Sequence, residues 1–141
     1  MLIQEQELKK FFNLSYGEKP PSRDAWEYLY NKQVIFIDPT QTRHGIDEYI
    51  QAQDGLINRC DDVYLESHSI AINKNIAFVE WTMGLKIKGL EFLYEGTSRL
   101  IFDEEGKVKE HRDYFDFCSG TFGKLPIIGN FLRWLYSRFV D

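Results

Sequence analysis

The sequence predicts an α+β domain, and three observations predict it. Apolar residues recur at helical spacing in three segments before residue 60. Four β-branched and aromatic runs then follow one another between residues 62 and 117, and only short turns separate them. Helices followed by consecutive strands describe an antiparallel meander covered by helices on one face. A chain of 141 residues holds one such domain, residues 1–141, with residues 124–141 read as a C-terminal helical extension.

The elements follow in order. In "LIQEQELKKFFNL" Leu8, Phe11, Phe12 and Leu14 lie near helical spacing, and "GEKPPS" ends that helix. Ser22 is the expected N-cap of "RDAWEYLYN", whose apolar stripe is Trp26, Leu29 and Tyr30. "QVIFIDP" reads as a short strand closed by Pro39. "GIDEYIQAQDGLIN" is a third helix with Ile46, Tyr49, Ile50 and Ile57 inward. The runs "DVYLESHSIAINK", "NIAFVEWTMGLKI", "LEFLYEGTSRLIFD" and "GKVKEHRDYFDF" are the strands, broken at turns such as "NKN" and "DEEG". The tail "LPIIGNFLRWLYSRFVD" returns to helical spacing at Ile128, Phe131, Leu132, Leu135 and Phe139, with Arg133 and Ser137 elsewhere on the helix. It is expected to dock on the body or on a second subunit. A membrane-surface role is the lesser reading, since only two arginines support it.

Composition sets outer bounds. The hydrophobic share of 43% and aromatic share of 16% are those of a filled core. A net charge of −5 without a basic cluster argues against a nucleic-acid partner. Cys60 and Cys118 make neither a disulfide framework nor a metal motif, and no apolar run reaches the roughly 18 residues of a membrane span. "MLIQEQELKK" lacks the pattern of a signal peptide, so a reduced, cytoplasmic protein is expected. His44, His68 and His111 are scattered without ligand spacing, and no metal or other cofactor is expected.

Strand alternation sorts the side chains into two faces. Val79, Trp81, Met83 and Leu85 share one face, as do Tyr94, Gly96, Ser98, Leu100 and Phe102; these are the helix-facing sets. Glu80, Glu95 and Arg99 fall on the other, solvated face. In "HRDYFD" the alternation groups His111, Asp113 and Phe115 against Arg112, Tyr114 and Asp116. Setting Asp113 inward leaves the other charges outside and encloses one carboxyl and one imidazole among aromatic rings. Such a carboxyl protonates, pairs with His111 or holds a water, and the surroundings suit acid–base work. The plainer reading of Asp113 is a structural pair with His111. That of Asp38, before a proline, is turn capping.

At these residues the sequence resembles the nuclear transport factor 2-like superfamily, in its ketosteroid isomerase, limonene epoxide hydrolase and SnoaL-like branches. "VIFIDP" followed by "RHGIDEYI" resembles that family's strand, aspartate–proline and glycine-led third helix. "GTSRLIFDEEGKV" resembles its penultimate hairpin, and "HRDYFDF" is similar to the last-strand motif of the epoxide hydrolases; the likeness spans residues 1 to about 120. It implies a cone-shaped, curved sheet packed against the helices with a pocket at its open end. It also implies that Asp38 stands where ketosteroid isomerases keep a proton-shuttling aspartate, and Asp113 where epoxide hydrolases keep a water-activating one. The isomerases' tyrosine and aspartic acid positions are here Phe11 or a neighbour and Ser98. Trp81 and Met83 stand where epoxide hydrolases keep an arginine and a second aspartate.

The expected site therefore has Asp38, Asp113 and His111 as the catalytic set. Phe36, Trp81, Met83, Tyr94, Ser98 and Phe115 are the expected pocket residues, with Ser98 a weak oxyanion donor. Two functions compete. One is a cofactor-independent isomerase, cyclase or hydrolase acting on a small hydrophobic carbonyl or epoxide compound; the other is a non-catalytic carrier or sensor of an apolar ligand. A protein-interaction scaffold ranks below both. The outer sheet face, with Glu95, Arg99, Glu110 and Arg112 among apolar neighbours, is expected to form a homodimer.

Overall fold

The Ser22 hydroxyl accepts a hydrogen bond from the Ala25 N–H and so starts helix α2 where the sequence places it. The computed structural model describes residues 4–13, 21–123 and 125–140; Leu14 and the helix break at 17–20 lie outside the described residues. The helices before the meander are α1 (Glu5–Phe12), α2 (Arg23–Leu29) and α3 (Ile46–Arg59). Gly45, at φ 87°, caps α3 in a backbone conformation that favours glycine. Strands β3 (Asp62–Asn73), β4 (Ile76–Ile87), β5 (Leu90–Phe102) and β6 (Val108–Phe115) form the antiparallel meander.

Three features depart from the sequence reading. Helix α2 ends at Leu29, and Tyr30 opens β1 (Tyr30–Ile37), so its ring belongs to the sheet rather than to a helical stripe. β1 pairs with β6 in parallel, and the short β2 (Thr42–His44) pairs with β1 antiparallel, giving one mixed sheet of order β2-β1-β6-β5-β4-β3. A three-residue strand is too short to show a period. A parallel partner cannot be recognised from neighbouring segments, because the whole meander intervenes. Third, a short helix α4 (Phe117–Phe122) follows β6, capped by Asp116, whose side chain accepts from the Ser119 N–H at 2.8 Å. α4 packs on β5, with Gly120 against the Tyr94 ring and Tyr94 Oη 2.7 Å from Thr121 Oγ1.

The α+β class and the strand faces agree with the sequence. Val79, Trp81, Leu85, Tyr94, Ser98, Leu100 and Phe102 are buried against Leu8, Phe12, Trp26 and Tyr49 of the helices. α1 is pinned to the sheet where Asn13 Oδ1 accepts from the backbone N–H and hydroxyl of Ser67, at 2.7 and 2.9 Å. On the outer face Arg99 pairs with Glu110 at 2.6 Å, and Arg112 lies over the Tyr114 ring.

The C-terminal helix α5 (Pro126–Val140) does not use its apolar stripe to dock on the body of its own chain. Its small and polar side touches the protein: Gly129 is buried against the Gly123 and Phe122 carbonyls, and Arg133 donates to the Gly123 carbonyl at 3.0 Å. The apolar stripe read from the sequence exists, but it faces outward. Docking through that stripe would need a surface on the body that the Gly129 contact turns it away from.

Candidate functional site

Cross-strand register builds the site. Arg43, Phe36, His111 and Leu100 are successive register partners across β2, β1, β6 and β5, and Asp113 is opposite Ser98. Partners in register share a face, so this row points to the helices. Above it lies a cavity of about 310 Å³. Phe36, Trp81, Met83, Tyr94, Ser98 and Phe115 all line it, as do Asp38, His111 and Asp113. Tyr30 and Arg43 line it too, which the sequence reading did not anticipate.

His111 is 3% exposed and held on every side. The Tyr30 ring stacks beside it at 5.8 Å and Phe36 meets it edge-on at 4.7 Å. Tyr30 Oη is 2.7 Å from Nδ1, and Nε2 is 2.7 Å from Asp113 Oδ1. The Trp81 indole N–H donates to Ser98 Oγ at 2.8 Å, and the Ser98 hydroxyl donates to the same Asp113 Oδ1 at 2.5 Å. With Asp113 ionised its oxygens only accept, so Nε2 carries a proton. The result is a directed network, Trp81 to Ser98 to Asp113, met from the other side by Tyr30–His111. Both ring nitrogens of His111 are engaged by protein groups, and the Ser98 proton is committed to the carboxylate. Asp113 Oδ2 accepts no hydrogen bond from any described residue, and the side chain keeps 16% of its surface exposed.

Asp38 is placed differently. Oδ1 accepts from the Thr40 N–H, the Thr40 hydroxyl and the Gln41 N–H at 2.7, 2.6 and 3.0 Å, and Oδ2 from Arg43 at 3.1 Å. Burial alone would raise its pKa. The Thr40 hydroxyl and N–H, the Gln41 N–H and Arg43 outweigh that and hold it below the ordinary carboxylate range. A carboxylate so satisfied is a poor proton acceptor. It also fixes the Arg43 guanidinium, which lies over the Phe36 ring. The fold brings both aspartates to one cavity, but in unlike states: among the described residues Asp113 has one oxygen without a partner and Asp38 has none. No cluster of His, Cys, Asp and Glu that would hold a metal exists among the described residues.

The register also explains what the sequence hid. Tyr30 looked like a helix residue because it continues the Trp26–Leu29 spacing. Arg43 sits in the three-residue β2; its signal is only its position five residues after Asp38, across a Pro-Thr turn. Alternation put Gly96 on the inward face of β5 but not its role: a Cβ there would lie 2.6 Å from the Trp81 ring, so the glycine is where the indole crosses the strand toward Ser98.

Residues 10–111 match the SnoaL-like domain family. Among solved structures, a putative SnoaL-like polyketide cyclase from Jannaschia sp. is similar at 14% identity and TM-score 0.70, over 83% of this chain and 88% of that one. A nuclear transport factor 2-like protein of unknown function from Exiguobacterium sp. is similar at 19% identity and TM-score 0.65, over 78% and 98%. An LEH-like epoxide hydrolase of M. tuberculosis is similar at 19% identity and TM-score 0.61, over 83% and 82%. No curated protein sequence matches the chain.

Proposed function

Because the chain belongs to the SnoaL-like domain family, we propose that it is a cofactor-independent acid–base enzyme acting on a small hydrophobic carbonyl or epoxide compound. The observation that carries this reading is Asp113, a cavity-lining carboxylate whose Oδ1 is fixed twice and whose Oδ2 accepts no hydrogen bond from any described residue. In the proposed chemistry Oδ2 takes a proton from a carbon next to a carbonyl or from a water. It returns that proton to the product, so the protein ends as it began. His111 acts through Asp113 and is a positioning residue, since Tyr30 and Asp113 engage both its nitrogens. Arg43, anchored by Asp38, is the proposed donor to the guest's oxygen, a role for which Ser98 is unsuited because its proton is committed. Apolar walls select the body of the guest.

The test is turnover of carbonyl and epoxide panels by the wild type and by Asp113→Asn. Asn keeps the shape and removes the proton acceptor, so a loss of about 10²–10⁴-fold is expected. Equal rates on every substrate turned over would remove the assignment. The second reading, a carrier of an apolar ligand, is favoured by the saturation of Asp38, which leaves one base where the isomerase and hydrolase patterns use more. The outer sheet face, where Phe78 and Tyr114 are exposed beside the Arg99–Glu110 pair, is the proposed homodimer surface.

A further inference from the structure

α5 turns its polar side to the protein and its apolar side to water. Gly129, Asn130 and Arg133 share one face: Gly129 is buried, and Arg133 reaches the Gly123 carbonyl and Asn130 Oδ1. At about 100° per residue the opposite arc carries Ile127, Phe131, Trp134, Leu135 and Phe139. Ile127 and Phe139 are each 83% exposed and Trp134 56%. An amphipathic helix in a folded domain does the reverse. We infer that α5 is an interfacial helix that seats this protein on an anionic lipid bilayer.

Three observations favour lipid over protein as the occupant. Residues 117–141 contain Lys124, Arg133 and Arg138 against a single acid, Asp141, in a chain whose net charge is −5. Arg133 is turned to the protein, so Arg138, within the apolar arc, is the charge that complements an anionic surface. Arg138 lies inside that arc, its guanidinium over the Trp134 ring at 5.9 Å. In a helix paired with its own copy this charge would be enclosed among the apolar side chains of the arc, and within 117–141 Asp141 alone could meet it. At a bilayer the same side chain extends to the phosphates while its stem stays among the rings. Trp134 and Tyr136 are the side-chain types that settle at the headgroup level. With 15 residues, α5 is about 22 Å long, short of the roughly 20 residues a span requires, so it lies along the surface. The seat is beside the cavity, because Phe117, the first residue of α4, lines it.

Flotation of the full chain with vesicles tests this. The wild type is expected to float with phosphatidylcholine–phosphatidylglycerol vesicles and more weakly with phosphatidylcholine alone, and added salt is expected to lower the difference. The double variant Ile127→Asp, Phe139→Asp should stay unbound with an unchanged melting temperature, since both side chains face water. Arg138→Gln should weaken binding to the anionic vesicles about fivefold. Equal partitioning of the wild type and the double variant would overturn the inference. So would a wild type that ignores both vesicles and forms a dimer that the double variant dissociates, which would assign the arc to a second copy.

Discussion

Tyr30 and Asp113 hold His111 from opposite ends, and the energetics of the site follow from that arrangement. Tyr30→Phe keeps the ring stacking but leaves Nδ1 of a buried imidazole without its 2.7 Å partner. An orphaned buried polar group costs roughly 1–3 kcal/mol, so Tyr30→Phe is expected to lower the unfolding free energy by that amount, seen as a lower urea midpoint at an unchanged m-value. Asp38 gives a different signature, because its pKa is lowered in the fold. A lowered carboxylate contributes stability above its unfolded pKa of about 3.9 and loses it as pH falls through the folded value. The stability gap between the wild type and Asp38→Asn should therefore be constant from neutral pH to about pH 5, and close below about pH 4. Denaturation series across that range measure it; a gap that persists in acid would mean that the turn, and not the charge, is what Asp38 supports.

At the scale of elements, Gly96 makes the sharpest prediction. A Cβ there meets the Trp81 ring at 2.6 Å and the Tyr114 carbonyl oxygen at 2.8 Å, and the second neighbour is backbone. Gly96→Ala should cost about 1–3 kcal/mol in denaturant titrations and displace the indole from Ser98, shifting the near-ultraviolet circular dichroism. This position also shows why parts of the fold were legible. Strand faces repeat every two residues, so Gly96, Trp81, Ser98 and Asp113 could be placed inward from alternation alone. What pairs with what is not periodic. The parallel joining of β1 to β6 brings Tyr30 and Phe36 to His111 from about eighty residues away in sequence, and nothing local in "YNKQ" signals it. Arg43 escaped for the same reason, since its place depends on β2 finding β1. The direction in which α5 faces was likewise unreadable: spacing shows that a stripe exists, while the contact of Gly129 with Gly123 decides where it points.

For the whole molecule, what matters is whether the hollow converts its guest or only holds it. A cavity of about 310 Å³ is about twice the 150 Å³ that accommodates a benzene ring, so guests of one or two rings fit. Either function predicts that such a guest raises stability, by about 2.7 kcal/mol at a hundred times its Kd, visible as a concentration-dependent melting temperature. The two part at Asp113→Asn. If Oδ2 serves a reaction, the variant keeps the ligand-induced shift and loses turnover, because Asn retains the shape and hydrogen bonds but takes no proton. If the carboxylate only orients a guest, the variant loses the shift, and the wild type shows no turnover to lose. Arg43→Gln provides the matching control. An arginine that grips the guest's oxygen in the bound state weakens the shift when removed, whereas one that acts on charge developing in the reaction leaves the shift and lowers kcat. Measured together on one carbonyl or epoxide compound that shifts the wild type, these two variants separate a catalyst from a carrier.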